Sequence, residues 1–163
     1  MKHLRIETLT EGHYPYISSN INDWWDGRDV LDMLPVLFFK HFSSTSLIAL
    51  HDETPNQTTI AGFLVGFYSP TKPNCAYIHF VGVNPAYRGH GVGAKLYNHF
   101  FTNAKNYGAK EVRCVTSPVN TNSIAFHLAM GFKSEKQNSD GTPAPIPNYD
   151  GPGKNRISFY RPL

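Results

Sequence analysis

The chain has 163 residues, of which 40% are hydrophobic, 13% aromatic and 17% charged, and 15 Lys and Arg against 12 Asp and Glu leave a formal charge of +3. That composition suits one domain over residues 1–163 with a buried core, and it excludes a disordered tail, a coiled coil and a disulfide scaffold. The sequence has no apolar run near the ~20 residues that span a bilayer, no signal-type apolar stretch after Met1-Lys2-His3-Leu4-Arg5, and no Lys/Arg block of the kind that binds nucleic acid.

Alternation over His3–Thr8 predicts a strand. Thr10–Asn22 predicts a short helix, and Asp23–Asp29 a turn. A second helix is expected from Asp29 as cap to Phe42, kinked or split at Pro35. Three strands come next, over Ser46–His51, Thr59–Tyr68 and Ala76–Val83, with turns over Asp52–Thr58 and Ser69–Asn74. Tyr87–Tyr107 is the longest helical stretch, with Val92, Leu96, Phe100 and Ala104 spaced by four. Then come a strand over Glu111–Thr116, a helix over Ser123–Met130, a strand over Phe132–Lys136, a Pro- and Gly-rich loop over Asn138–Lys154, and a last strand over Arg156–Arg161. This order describes a mixed α/β domain with an antiparallel half and one βαβ step.

The strongest local signal is Val83-Asn84-Pro85-Ala86-Tyr87-Arg88-Gly89-His90-Gly91-Val92-Gly93-Ala94. A buried strand runs into a glycine turn that opens a long amphipathic helix. Glycines admit positive φ and close backbone approach. The first amides of a helix have no partner within it and, with the helix dipole, form a site for phosphate. A dinucleotide fingerprint would need Gly-x-Gly-x-x-Gly and an acidic residue ending the next strand; here the spacing is Gly-x-Gly-x-Gly and that strand ends in Thr116. A P-loop would need Gly-Lys-Ser/Thr, but the chain reads Ala94-Lys95-Leu96.

The pattern [Arg/Gln]-x-x-Gly-x-[Gly/Ala] is met by Arg88, Gly91 and Gly93. At this point the chain resembles the GNAT superfamily of acyl-CoA-dependent N-acetyltransferases. Val81–Pro85 is similar to the strand before the family's pyrophosphate loop, and Asn120–Ser123 with His127–Phe132 to its downstream helix. The resemblance implies a GNAT-like fold: a mostly antiparallel sheet with a central splayed parallel pair and helices on both faces. It implies acetyl-CoA as co-substrate, no metal, and direct acyl transfer to an amine without a covalent enzyme intermediate.

Residue by residue, the resemblance assigns the pantetheine arm to backbone groups of Val81 and Val83, and the pyrophosphate to the turn Arg88, Gly89, His90, Gly91, Val92, Gly93 and Ala94. Gly82 falls where the family strand bulges, and an N–H there would polarise the thioester carbonyl. Asn120 is a partner for a pantetheine amide, and Ser123 either joins it or packs. Tyr77 and His79 lie two apart on one strand face. His79 occupies a position where relatives carry a base, and histidine accepts protons near neutral pH. His127 stands where the family commonly has a Tyr that protonates the departing sulfur; a histidine leaves open whether it is an acid or a cofactor contact.

The acceptor side of this fold draws on the first helices and the loop before the last strand. Trp24, Trp25 and Arg28 are candidates in the first region, with Arg28 suited to clamp a carboxylate. Tyr149 and Asp150 are candidates in the second, with Asp150 suited to attract an amine. The expected activity is N-acetylation of a small-molecule amine such as an amino acid or amino sugar, in the cytoplasm, without nucleic-acid or membrane partners. A protein N-terminus or lysine as acceptor, a catalytically silent acyl-CoA-binding module, and a homodimer remain open alternatives.

Overall fold

Strand alternation and helix stripes build a mixed α/β fold, which the computed structural model describes for residues 3–163. Seven strands, β1 (Leu4–Thr8), β2 (Leu47–Thr54), β3 (Gln57–Tyr68), β4 (Cys75–Val83), β5 (Glu111–Thr116), β6 (Lys133–Ser134) and β7 (Ile157–Pro162), form one sheet. Its order is β1-β2-β3-β4-β5-β7-β6. Four α-helices accompany it: α1 (Tyr14–Trp24), α2 (Leu37–His41), α3 (Val92–Tyr107) and α4 (Thr121–Ala129). The sheet is mostly antiparallel, and β4 pairs with β5 in parallel. That parallel pairing is short: it runs from Cys75↔Glu111 to Tyr77↔Arg113 and stops, although both strands continue.

The chain divides into two compact units, one comprising the N-terminal residues through Tyr68 with Ile78–Asn103, the other Ser69–Tyr77 with Ala104–Leu163. In the first unit, β1, β2 and β3 carry a core of Leu9, Ile17, Ile21, Trp24, Leu34, Phe39, Ile48, Phe63 and Phe80. Phe63 is its hub, fully buried, with ring centroids 6.0 Å from Phe80, 6.1 Å from Trp24 and 6.5 Å from Phe39. Truncating such a ring costs about 3–5 kcal/mol. In the second unit the buried apolar residues of β5, Val112 and Cys114, join Phe132, Ile157 and Phe159. Burial alone pushes the Cys114 thiol far above its ordinary range. The thiols of Cys75 and Cys114 are both free.

Several boundaries differ from expectation for local reasons. The expected helix over 29–42 is split into a 3-10 turn at Leu31–Met33 and the short α2, because Pro35 cannot donate its amide. The 52–58 connection shrinks to Pro55-Asn56, and β2 and β3 pair up to Thr54↔Gln57. Thr58 and Thr59 close that hairpin by donating to Asp52 and Glu53 at 2.6 and 2.8 Å. α3 starts at Val92 rather than Tyr87, since Gly89 and Gly91 both sit at φ +76°. β6 is reduced to Lys133 and Ser134, which pair with Tyr160 and Phe159 of β7, and just beyond it Glu135 N donates to Ser158 O at 2.9 Å.

Candidate active site

β4 leads into the glycine turn, and its burial alternates without interruption from Ala76 to Val83. Tyr77, His79, Val81 and Val83 therefore share the half-exposed face, while Ile78, Phe80 and Gly82 face the core. Gly82 has a packing reason to be glycine. A Cβ there would lie 2.5 Å from Phe63 Cε1 and 3.0 Å from its Cζ. Gly62 on β3 answers a similar demand: its Cβ would meet the Gly82 carbonyl at 2.8 Å and Val92 Cγ1 at 3.1 Å. The sequence reading misses Gly62, although an isolated glycine in an apolar strand is the usual mark of such an approach.

His79 is held from two sides. Its Nε2 donates to the Met33 carbonyl at 2.7 Å, and its ring stacks on Phe38 with centroids 4.2 Å apart. A carbonyl only accepts, so this bond fixes the proton on Nε2 and leaves the lone pair on Nδ1. Sequence reasoning misses both Met33 and Phe38 as supports for His79, and a backbone carbonyl leaves no sequence signal. Around this histidine Met33 is 45% and Leu37 49% exposed. Trp25 is half-buried against Phe80 at 5.2 Å, whereas Trp24 is buried in the core. Arg28 is exposed, and its Nε reaches only the Trp25 carbonyl, at 3.4 Å.

The turn after β4 is pinned at several points. Asn84 caps the 3-10 turn Pro85–Tyr87 by accepting from Ala86 N at 3.0 Å, and its Nδ2 donates to Ile60 O at 3.2 Å. The Tyr87 hydroxyl donates to Glu53 Oε1 at 2.8 Å. Arg88 donates through Nη2 to the Trp24 carbonyl and through Nε to the Val83 carbonyl at 3.4 Å. His90 is exposed, and its Nδ1 donates to Arg88 O at 2.9 Å. A Cβ at Gly89 or Gly91 would meet nothing within 4 Å, so the left-handed backbone demands these glycines and leaves open space beside them. Among the described residues, the first amide after the turn to find an acceptor is Lys95 N, on Gly91 O at 3.0 Å. The amides ahead of it are the outward-pointing donors of a helix N-terminus, with open space beside them. That combination fits a diphosphate.

In the second unit, Asn120 is the N-cap of α4, its Oδ1 accepting from Ser123 N at 3.1 Å. A cap of this kind contributes about 1 kcal/mol. His127 is 5% exposed, its ring stacked on Phe159 at 5.1 Å. Its Nδ1 donates to Ser123 O at 2.7 Å, and burial holds its pKa below the ordinary histidine value. Tyr77 is pushed far up by burial first, then by Tyr149, Cys114 and Asp150, so it keeps its phenolic proton. Tyr149 is exposed, with its own pKa raised by burial, Glu135 and Asp150. Asp150 accepts an ion-paired hydrogen bond from Arg156 Nε at 2.6 Å. The structure thus brings Tyr77 within electrostatic reach of Tyr149 and Asp150, and Arg113, on the neighbouring strand, is bonded to both Glu111 and Glu135. Among the described residues no group of three or more His, Cys, Asp or Glu side chains could hold a metal, and no helix is long and apolar enough to cross a membrane.

A mostly antiparallel sheet with one short parallel pair, and a left-handed glycine turn opening a long helix, define a mixed α/β fold with a helix-N-terminal turn suited to an anion. The profile of the Acetyltransferase (GNAT) family matches residues 5–132, and the chain belongs to that family. It is 27% identical over 102 residues to L-2,4-diaminobutyric acid acetyltransferase of Nocardia farcinica (strain IFM 10152), covering 63% of this chain and 50% of that protein. Identity to the protein of the same name from Virgibacillus pantothenticus is 26% over 102 residues, covering 63% of this chain and 61% of the relative. The matched region thus spans less than two thirds of either relative. Among solved structures, a chain of the NatC complex bound to Gag peptide and CoA shares the fold, with a TM-score of 0.74, 18% identity and 99% coverage of both chains.

Proposed function

We propose that this protein is an acetyl-CoA-dependent N-acetyltransferase acting on the amine of a small molecule. The observation that carries the reading is the turn itself: Gly89 and Gly91 at φ +76°, open space beside both, and unpaired amides ahead of Lys95 at the start of α3. Acetyl-CoA, when bound, supplies an acyl group activated as a thioester. Backbone amides from Gly89 to Ala94 would hold its diphosphate, and Val81 and Val83, on β4 beyond Tyr77 where its ladder to β5 ends, would offer main-chain groups to its pantetheine arm. The Asn120 Nδ2, not engaged by the cap, would donate to a pantetheine carbonyl.

His79 is the proposed base. Its Nε2 proton is tied to Met33 O, so Nδ1 is the nitrogen that takes the proton from an incoming ammonium, directly or through water. The protonated Tyr77 phenol is the proposed donor toward the leaving sulfur. A neutral His127 with its Nδ1 proton on Ser123 is better suited to support the cofactor-binding helix than to act as an acid. Trp25 and Arg28 are proposed acceptor contacts within the first unit, and Tyr149 and Asp150 are separate candidates within the second. The diaminobutyrate acetyltransferase relatives support a small amino-acid acceptor.

A peptide acceptor is the second reading, favoured by the exposed Met33, Val36 and Leu37 close in sequence to the residues that hold His79. The test is thiol release from acetyl-CoA with a panel of diamino acids, amino sugars and short peptides, with products weighed by mass spectrometry. Turnover with a diamino acid or amino sugar supports the first reading, and turnover with peptides alone the second. Measured CoA binding with no turnover on any amine would overturn both.

A further inference from the structure

Arg88 occupies the first position of the glycine-turn pattern, where a cation beside a diphosphate would be expected to face the ligand. Its guanidinium does something else. Nη2 donates to the carbonyl of Trp24, the last residue of α1, and Nε to the carbonyl of Val83 at the end of β4. The last four carbonyls of a helix lack intrahelical partners, and a cation there is favoured by the helix dipole. Arg88 is therefore a side-chain cap for α1 supplied from 64 residues away. Its own backbone is part of the turn: Arg88 N donates to Pro85 O at 3.3 Å, and Arg88 O accepts from His90.

The residues just after α1 give this contact its significance. Trp25 packs on Phe80, the neighbour of His79 on β4. Asp26 and Gly27 are left-handed at φ 55° and 77°, and Arg28 hangs from the Trp25 carbonyl through both its amide and its Nε. The segment 24–28 is exposed beyond Trp25, and the amides of Trp25, Asp26 and Gly27 donate to the carbonyls of Asn22 and Asp23 in the last turn of α1, so its order depends on how the end of α1 is held.

We propose that Arg88 is a positioning residue that couples the glycine turn to the C-terminal end of α1, so that CoA binding orders the Trp24–Arg28 segment. The inference rests on the reading of the turn as a CoA site and goes beyond it by assigning the side chain to communication rather than to the phosphate. The coupling is reciprocal by linkage: an occupant of the 24–28 segment would tighten CoA by the same factor.

The experiment is hydrogen–deuterium exchange on the full chain with and without CoA, with CoA affinity by calorimetry at two salt concentrations. In the unmutated protein, CoA is expected to slow exchange in peptides over 88–96 and over 20–30. In Arg88→Met, which keeps the apolar stem and removes the donors, protection over 88–96 persists, protection over 20–30 is lost, and the CoA dissociation constant changes less than about threefold. A direct phosphate contact would instead weaken CoA by roughly tenfold or more and flatten its salt dependence; that result overturns the proposal. So does protection over 20–30 that survives in Arg88→Met. If Arg88→Met does not fold, Arg88→Lys serves, since one ammonium cannot reproduce the two-carbonyl fork; the unmutated protein alone also decides, because absent protection over 20–30 refutes the coupling. Absent protection over 88–96 would overturn the CoA reading itself, a distinguishable failure.

Discussion

Replacing Gly82 by alanine isolates the packing logic of β4 from its chemistry. The added Cβ would stand 2.5 Å from Phe63 Cε1, 3.0 Å from Cζ and 3.2 Å from Cδ1. Carbon pairs rest at roughly 3.5–4.0 Å, so the ring must retreat by about 1 Å. It has nowhere to go: Phe63 is fully buried and hemmed by Trp24, Phe39 and Phe80. Overpacking of this kind costs about 1–3 kcal/mol, and each kcal/mol lowers Tm by roughly 2–4 °C in a chain of this size. Phe63→Leu on its own destabilises by leaving a void, but in the double variant the smaller side chain makes room for the methyl. The two changes should then be non-additive by about 0.5–3 kcal/mol in the favourable direction. Urea unfolding of the four proteins measures this cycle. Strict additivity, or a Gly82→Ala protein as stable as its parent, would refute the argument that Phe63 dictates the glycine.

Gly91→Glu should cost about 1–2 kcal/mol through its left-handed backbone and abolish CoA binding by calorimetry; retained affinity would remove the turn from the site. His79→Ala should lower kcat/KM by about 10²–10⁴ and erase the acidic limb of its pH profile, and an unaltered limb would exclude His79 as base. His127 is held below the ordinary histidine value of 6.5 chiefly by burial, so the unfolded chain takes up a proton first as pH falls. Stability should therefore drop as pH falls from about 6.5 toward the lower folded value. In His127→Phe that drop should be smaller but present, because His13 is also lowered by burial; thermal melts from pH 7 to 5 would expose the opposite trend. Losses below about pH 4 belong to carboxylates such as Glu135, lowered by Ser158 and Arg113.

The local chemistry of the chain is legible without coordinates. The sequence reading locates β1, β4, β5 and β7 to within a residue, and in β4 and β5 the burial alternates as a strand with one face on a core requires. The glycine turn declares itself because positive φ excludes most other residues, and Gly89 and Gly91 both adopt it. The stripe Val92, Leu96, Phe100, Ala104 is buried throughout. Contacts between distant segments are not legible. That β7 pairs between β5 and β6 results from long-range hydrogen bonding, which no local pattern encodes. The Met33 carbonyl that orients His79 lies 46 residues away, and every residue type carries the same carbonyl. From sequence Arg88 belongs to the turn assigned to the pyrophosphate; the bond from its guanidinium to the Trp24 carbonyl at the end of α1 comes from the tertiary fold. Sequence thus determined which backbone conformations and faces were available. Tertiary structure decided which donors were already engaged, because hydrogen-bond partners are chosen by proximity in space.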